Sequence, residues 1–96
     1  MALSDLEVNM RDGIVCQFNL FDMYQTVNEI QNGQLRPLGI MTLDELGKNI
    51  GKYCLKQNIN YVHLYGDNVY SKKIIEDIDT VTNGLFSKKK IEIEVN

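Results

Sequence analysis

The sequence predicts an α/β fold, more narrowly an α+β domain with a mixed sheet, in which antiparallel strands come first and an α-β-α-β run follows. Apolar and polar residues alternate in the first half of the chain, which is typical of half-buried strands. The second half holds two segments with apolar residues at helical spacing, separated by the apolar segment Tyr-Val-His-Leu-Tyr at residues 61–65. With 96 residues, the chain is predicted to form one domain, residues 1–96.

The first predicted element is a hairpin around the segment Arg11-Asp12-Gly13. A three-residue loop that ends at Gly13 keeps the apolar side chains of both strands on one face and puts Gly13 in the αL conformation. Residues 4–7, Ser-Asp-Leu-Glu, also read as a capping box, so a short N-terminal helix is the alternative. The apolar positions of the two strands are Leu6, Val8, Met10, Ile14, Cys16, Phe18 and Leu20.

The dipeptide Asn32-Gly33 is a strong hairpin signal, because both residues tolerate the positive φ angles of a type I′ turn. Pro37 cannot donate a ladder hydrogen bond, so its strand is expected at the sheet edge or at a bulge. A helix over residues 22–32 is the alternative, but the β-branched residues of that segment favour the strand. The predicted cross-strand pairs are Ile30 with Leu35, Glu29 with Arg36 and Val27 with Leu38.

The first helix of the second half is predicted from a capping box, Thr42-x-x-Glu45, followed by apolar residues at helical spacing. We expect this helix to end near Gln57. The nearly continuous apolar segment at residues 60–66 is typical of a strand that is buried on both faces in a parallel sheet.

A second helix is predicted to begin at Asp67 or Asn68 and to end near Gly84. The last segment, residues 91–96, alternates isoleucine or valine with glutamate or asparagine, which indicates a strand with one solvent-exposed face. Because crossover connections are right-handed, this strand and the strand at residues 60–66 are expected to be parallel in one sheet.

Composition and charge exclude several classes of protein. The net charge of −3 and the pI of about 5.0 argue against a dedicated binder of duplex DNA or of anionic membranes, and no apolar run is long enough to span a bilayer. The N-terminal residues lack the pattern of a signal peptide. The two cysteines, Cys16 and Cys54, lie in apolar patterns and are expected to be free thiols in a reducing cytoplasm. Residue usage fits an AT-rich genome, such as that of a low-GC bacterium or its phage.

If residues 14–31 form one long bent strand, the element order becomes βββαβαβ. This order resembles the ribonuclease H-like superfold, which is shared by nucleases and by the halves of actin-like ATPases. The resemblance implies carboxylates at the end of the first strand, in the first helix and after the fourth strand, where nucleases of this fold hold divalent metals such as Mg²⁺ or Mn²⁺.

Part of that carboxylate pattern is present. Asp67 follows the buried strand in Tyr-Gly-Asp-Asn-Val-Tyr, and Glu45 lies at the first helix. The third carboxylate departs from the pattern, because only Asp22 or Asp12 is available. A divalent-metal nuclease or phosphodiesterase that uses Glu45 and Asp67 with Asp22 or Asp12 is therefore the alternative function.

Each of these carboxylates also has a structural explanation. Glu45 completes a capping box, and Asp67 is a good N-cap for the second helix. His63 alternates with apolar residues and is expected to be a half-buried, hydrogen-bonded side chain of the sheet. Neither a catalytic triad nor a zinc site has the residues that it needs at suitable spacing.

The sequence favours a small non-catalytic binding domain that needs no cofactor, and that self-associates or docks on a larger protein as an accessory or inhibitor. Gly47 and Gly51 lie four residues apart in the first helix, where each glycine costs about 1 kcal/mol relative to alanine. Such a cleared face allows close packing on the sheet of the same chain or close approach of another helix. The candidate contact surfaces are that face and the edge strand at Arg36 and Pro37, with a protein rather than nucleic acid or membrane as partner.

Overall fold

The computed structural model describes residues 11–96, which form five strands and two α-helices. The predicted strand that ends at Met10 and the alternative N-terminal helix lie outside the described residues. Both helices of the described part are too short to cross a membrane. In chain order the elements are β1 (Gly13–Gln17), β2 (Tyr24–Gln31), β3 (Gln34–Thr42), α1 (Leu46–Gln57), β4 (Tyr61–Tyr65), α2 (Asn68–Val81) and β5 (Glu92–Val95).

The strands form one mixed sheet in the order β3-β2-β1-β4-β5. β1 is central, antiparallel to β2 and parallel to β4, and β5 is parallel to β4. The predicted α+β class, the mixed sheet and the βββαβαβ order are confirmed. The single long strand over residues 14–31 was wrong, because a turn in which Asp22 N donates to Asn19 O at 3.1 Å separates β1 from β2.

The β2–β3 hairpin turns at Asn32 and Gly33, whose φ angles are 53° and 77°. Residues 22–32 therefore do not form the alternative helix. The predicted pairs of Ile30 with Leu35 and Glu29 with Arg36 are confirmed, whereas Val27 pairs with Gly39 rather than with Leu38. A bulge after Pro37 leaves Leu38 as the extra residue, and the Leu38 carbonyl accepts a hydrogen bond from Tyr53 OH at 2.8 Å. The expectation of an edge strand with a bulge at Pro37 is thus confirmed.

The start of α1 differs from the predicted capping box. Residues Leu43–Glu45 form a 3₁₀ turn, and the Thr42 side chain makes no capping hydrogen bond. Thr42 is the last residue of β3 and pairs with Tyr24, so the sheet fixes its backbone before the helix begins. The predicted helix end at Gln57 is confirmed.

Gly13 is needed for close packing within the sheet and not for a turn. It is the first residue of β1, pairs with Ile30 and has a φ angle of 154°. The expectation of an αL glycine was therefore wrong. A side chain at Gly13 would collide with the backbone carbonyl and the ring of Tyr61 on β4. A glycine at this position lets β1 and β4 lie side by side at their amino ends.

Both helices pack on one face of the sheet and enclose the main core. Cys16 and Cys54 lie in this core as free thiols, and burial raises their pKa values to about 12 and about 11. These thiols are therefore protonated and unreactive in the folded chain. The buried core residues are Ile14, Cys16, Phe18, Val27, Met41, Leu46, Ile50, Cys54, Val62, Leu64, Ile74, Ile78 and Ile91.

Gly47 and Gly51 lie where α1 crosses α2. A Cβ atom at Gly47 would lie 2.6 Å from both Asp77 Cβ and the Ile74 carbonyl oxygen, and one at Gly51 would collide with Val81. The helix that approaches the glycine face is therefore α2 of the same chain, and both glycines are buried. The atoms nearest to these two positions belong to α2 and not to the sheet.

The other face of the sheet carries a polar cluster on β4 and β5. His63 is 4% exposed, its Nδ1 lies 3.3 Å from Tyr65 OH and 3.7 Å from a Glu94 carboxylate oxygen, and Tyr61 OH donates to the same carboxylate. Burial lowers the pKa of His63, and the charge of Glu94 opposes that shift. His63 is thus hydrogen-bonded as the sequence predicted, but it is fully buried and not half-buried.

We expect Gly47→Ala and Gly51→Ala each to lower the free energy of unfolding by about 1–3 kcal/mol, because the new methyl group overpacks the contact with α2. In an exposed helix the same change would stabilise the chain by about 1 kcal/mol, so the sign is diagnostic. Denaturant unfolding followed by circular dichroism measures the change. Lys48→Ala, an exposed position of the same helix, is the control and should stay within about 0.5 kcal/mol.

Folding stability should fall as the pH is lowered through the unfolded pKa of His63, near 6.5. The folded pKa is lower than the unfolded one, so the unfolded chain binds the proton first and protonation favours unfolding. Denaturant midpoints of the native chain and of His63→Gln between pH 7.5 and pH 5 test this. The native chain should lose more stability over this range, and parallel curves would contradict the assignment.

Candidate functional site

The carboxyl ends of β1, β3, β4 and β5 meet at one edge of the sheet, together with the amino end of β2. We call this the carboxyl edge and define it as residues 17–24, 42–46 and 65–70. In a sheet with parallel strands this edge is where loops and helix N-termini converge, and it is where ligands usually bind. The predicted carboxylates Asp22, Glu45 and Asp67 all belong to it.

Phe18 occupies the end of β1 within this edge. Its backbone N–H donates to the Tyr65 carbonyl at 2.9 Å, which extends the β1–β4 pairing by one residue. The side chain is 4% exposed, and its ring lies so close to Gly66 that a Cβ there would be 2.5 Å away. The Tyr70 ring packs against it with a centroid separation of 5.9 Å. An aromatic ring thus fills the place where the resemblance implied the first carboxylate.

Asp67 serves as the N-cap of α2. Its Oδ1 accepts a hydrogen bond from Tyr70 N at 2.7 Å, and its backbone carbonyl accepts bonds from Ser71 N and Ser71 Oγ, both at 2.9 Å. The structural role that the sequence gave Asp67 is therefore present. The carboxylate is exposed and also lines a pocket, so capping leaves it accessible to a ligand.

The structure brings Asp22 and Asp67 to one pocket and leaves the other two predicted carboxylates out of it. Glu45 is exposed at the start of α1. Asp12 lies at the opposite edge of the sheet, where its Oδ1 accepts a bond from Asn32 N at 3.0 Å. Within residues 11–96 no three of the aspartate, glutamate, histidine and cysteine side chains are grouped as a metal ion requires. The residues present therefore do not fit the two-metal site of a nuclease.

The pocket at the carboxyl edge has a volume of about 650 Å³. Three aromatic rings, two carboxylates and several uncharged polar side chains surround it, and none of its described lining residues is a lysine or an arginine. Its lining is therefore aromatic, acidic and rich in amides. The lining residues are Gln17, Phe18, Asn19, Leu20, Phe21, Asp22, Tyr24, Gln25, Thr26, Asn28 and Asp67.

Gln25 holds the loop that borders the pocket. Its side chain is 4% exposed and its Nε2 donates to the carbonyls of Asn19 and Asp22 at 2.9 and 2.8 Å, while its Oε1 accepts from Asn19 N at 3.0 Å. The Asn19 side chain in turn accepts a bond from Phe21 N at 2.9 Å. These bonds fix the backbone of residues 19–22. The sequence analysis missed this clamp, because a glutamine in an alternating strand gives no sign of which backbone it reaches.

The clamped loop displays apolar side chains to solvent. Phe21 is 96% exposed, Met23 is 70% exposed and Tyr24 is 62% exposed. Two more apolar side chains are exposed at the same end of the sheet. Ile40 lies on β3, where it pairs with Thr26 of β2, and Val69 lies at the start of α2. Exposed apolar side chains that cluster in this way mark an interaction site more often than scattered ones do.

The remaining contact candidates lie at the β3 edge. Arg36 is half-exposed, and its Nη2 bonds to Glu29 Oε1 at 2.6 Å across the hairpin. Pro37 is exposed beside the bulge. This arrangement explains both residues as parts of the hairpin, and a role for them in a contact with a partner stays a prediction.

No family model matches the chain, and no curated protein matches it. Among solved structures, the chain is similar to a point mutant of the nuclease domain of the large terminase subunit gp2 of bacterial virus Sf6, determined with manganese and beta-thujaplicinol. The TM-score is 0.50 at 14% sequence identity; the match covers 92% of this chain and 39% of that one. Together with the strand order, this likeness shows a ribonuclease H-like fold. It agrees with the resemblance that the predicted order of elements suggested.

Replacing Gln25 with methionine, which has a similar volume and no amide, should lower the free energy of unfolding by about 1–2 kcal/mol, because three backbone hydrogen bonds are lost. Amide hydrogen exchange at Phe21 and Asp22 should become faster than in the native chain. Exchange in β4 should stay as slow as in the native chain. Gln31→Met, at an exposed position of β2, is the matched control. Unchanged exchange in the loop would show that Gln25 does not hold it.

Proposed function

We propose that this chain is a non-catalytic binding module of ribonuclease H-like fold, and that its carboxyl edge binds a protein partner. The observation that carries the proposal is Phe18. An aromatic ring packed on Gly66 and Tyr70 lies at the end of β1, and the residues on either side, Gln17 and Asn19, are uncharged. The end of β1 therefore carries no carboxylate that could ligate a metal, and the exposed aromatic side chains of the loop that follows, Phe21 and Tyr24, offer a contact surface.

Hydrolysis of a phosphodiester by the metal-dependent route requires oxygen ligands that hold the cations against both the attacking and the leaving oxygen. Asp22 and Asp67 are the two carboxylates among the described lining residues of the pocket, and Asp67 already uses one oxygen to cap α2. Two exposed carboxylates on separate loops supply too few ligands for that task. The donor set thus supports binding rather than catalysis.

Phe21 supports the binding role directly. An aromatic side chain that is 96% exposed gains free energy from burial against a partner, and aromatic residues are enriched among the positions that dominate binding energy. The Gln25 clamp holds the backbone around Phe21 before any partner arrives. Less conformational entropy is then lost on association, which raises affinity.

A divalent-metal nuclease is the second candidate function. Two observations favour it: Asp22 and Asp67 line the same pocket, and the similar solved structure is a nuclease domain determined with manganese. This candidate would need Glu45, which lies outside the pocket, as a third ligand beside Asp22 and Asp67.

Selection from a displayed library of random twelve-residue peptides tests the proposed function. We expect the native chain to enrich a common sequence pattern, and Phe21→Ala to retain the selected peptides at least about tenfold less, as the loss of an aromatic contact worth about 1.4 kcal/mol or more requires. Leu55→Ala, which removes a half-exposed apolar side chain from α1, is the matched control and should bind as the native chain does. Absence of a common pattern, or equal retention by Phe21→Ala, would contradict the proposal.

An NMR titration of the same protein with Mn²⁺ distinguishes the second candidate function, a nuclease, from the proposed binding module. Amide NMR spectra are recorded while Mn²⁺ is added, and the proposal expects no selective broadening at Asp22, Glu45 or Asp67 below millimolar metal. Broadening centred on these residues at micromolar Mn²⁺, and its loss in Asp67→Asn, would favour the nuclease. Asparagine also caps helices, so this variant removes the charge without removing the cap.

A further inference from the structure

We infer that the pocket at the carboxyl edge binds the guanidinium group of an arginine side chain in a protein partner. This inference rests on the proposed function and specifies which partner chemistry the site takes. The pocket joins the two kinds of group that recognise this cation: the carboxylates of Asp22 and Asp67, and the aromatic rings of Phe21 and Tyr24. Guanidinium stacks on aromatic faces and forms paired hydrogen bonds with carboxylates.

The charge of the edge selects a cationic partner. Besides Asp22 and Asp67, the carboxyl edge carries the exposed side chains of Asp44 and Glu45. Nucleic acid would bring phosphates against these four carboxylates. A second copy docked by two-fold symmetry would bring the same carboxylates of each protomer together. A protein segment with a positive side chain is the occupant that meets complementary charge.

The charges of the residues that line the pocket also favour a cationic ligand. None of its described lining residues is positively charged, and the nearby Lys73 is engaged with Asp77 at 3.1 Å and lies 5.5 Å above the Tyr70 ring. Asp67 uses Oδ1 for the cap of α2, and no hydrogen bond from residues 11–96 reaches its Oδ2. The second oxygen can therefore accept from a ligand while the helix stays capped.

This chain already shows the same recognition once, at the opposite edge of the sheet. The Arg11 guanidinium carbon lies 4.0 Å from the centroid of the Tyr61 ring, and Arg11 Nη1 bonds to a Glu92 carboxylate oxygen at 3.1 Å. An aromatic face and a carboxylate thus hold one arginine together. The pocket offers two rings and two carboxylates for the same purpose, within a volume of about 650 Å³.

Arginine is favoured over lysine by the shape of the site. A planar guanidinium can stack on a ring and donate two parallel hydrogen bonds in the same plane, whereas an ammonium is a compact and more strongly hydrated charge. The amide side chain of Asn28 in the lining adds an oxygen acceptor for the remaining N–H groups. Recognition by shape as well as charge predicts a measurable preference between the two cations.

NMR titration of the native chain with the capped tripeptide acetyl-Gly-Arg-Gly-amide tests this inference. For a ligand this small we expect affinity on the order of millimolar, with saturable shifts at residues 17–26 and at Asp67. The lysine peptide should bind at least about threefold more weakly. The citrulline peptide has the same shape without the charge and should bind about tenfold more weakly, as loss of a charged hydrogen bond implies.

Matched variants locate the site. Asp22→Asn and Asp67→Asn should each weaken binding of the arginine peptide about three- to tenfold, and both keep a side chain that can cap or accept a hydrogen bond. Asp12→Asn at the opposite edge is the control and should leave the affinity unchanged. Equal binding of arginine and citrulline peptides, or shifts confined to the β4–β5 face, would overturn the inference.

The peptide selection separates this inference from the proposed function. A selected pattern that contains arginine, and whose binding weakens in Asp22→Asn, supports both. A pattern that depends on Phe21 and lacks arginine overturns the arginine pocket and leaves the binding module in place. Concentration-dependent dimerisation of the native chain that Phe21→Ala abolishes would identify a second copy as the occupant and would also overturn the inference.

Discussion

The packing of Phe18 on Gly66 is the contact on which the functional edge of this protein depends. β1 and β4 are parallel neighbours, and they stay paired through the last hydrogen bond, from Phe18 N to the Tyr65 carbonyl, only because Gly66, the residue after β4, has no side chain. That pairing fixes where α2 begins and where Asp67 caps it. It also buries the large apolar ring of Phe18 at the carboxyl edge.

Local patterns in the sequence were sufficient for most of the fold. Alternation in β2 and β5, the Asn32-Gly33 turn and the helical spacing in α1 and α2 each depend on near neighbours, and the parallel pairing of β4 with β5 follows from crossover handedness. The predictions that failed concern residues whose conformation depends on contacts with residues far away in the sequence. The bulge at Leu38 accommodates Tyr53 from α1, and the conformation of Gly13 is set by Tyr61, which is 48 residues later in the chain.

The candidate site was less accessible to sequence reasoning than the fold. Asp67 and Asp22 were found because the resemblance implied carboxylates at strand ends, and they do share a pocket. The carboxylate that the resemblance implied at the end of the first strand was sought at Asp12 and Asp22, and Phe18 at the end of β1 was not considered. No pattern in the sequence indicated that the Phe21 side chain is exposed, because an aromatic residue beside a strand is buried in most proteins. It is exposed here since the Gln25 side chain satisfies the backbone of the turn and holds it away from the core.

The irregular edge of the sheet also determines how copies of this chain behave in a crowded solution. β3 is nine residues long, a length that would give a regular edge a ladder of free N–H and C=O groups on which other copies could add as strands. Pro37 removes one donor, and the extra residue Leu38 shifts the spacing of those that follow, so no long stretch presents groups at the repeat that an incoming strand requires. At the far edge, β5 is four residues long and projects Glu92 and Glu94. Growth into cross-β fibrils is thereby hindered from both sides, and the protein can expose an aromatic loop at one end of its sheet without offering its strands to the same neighbours.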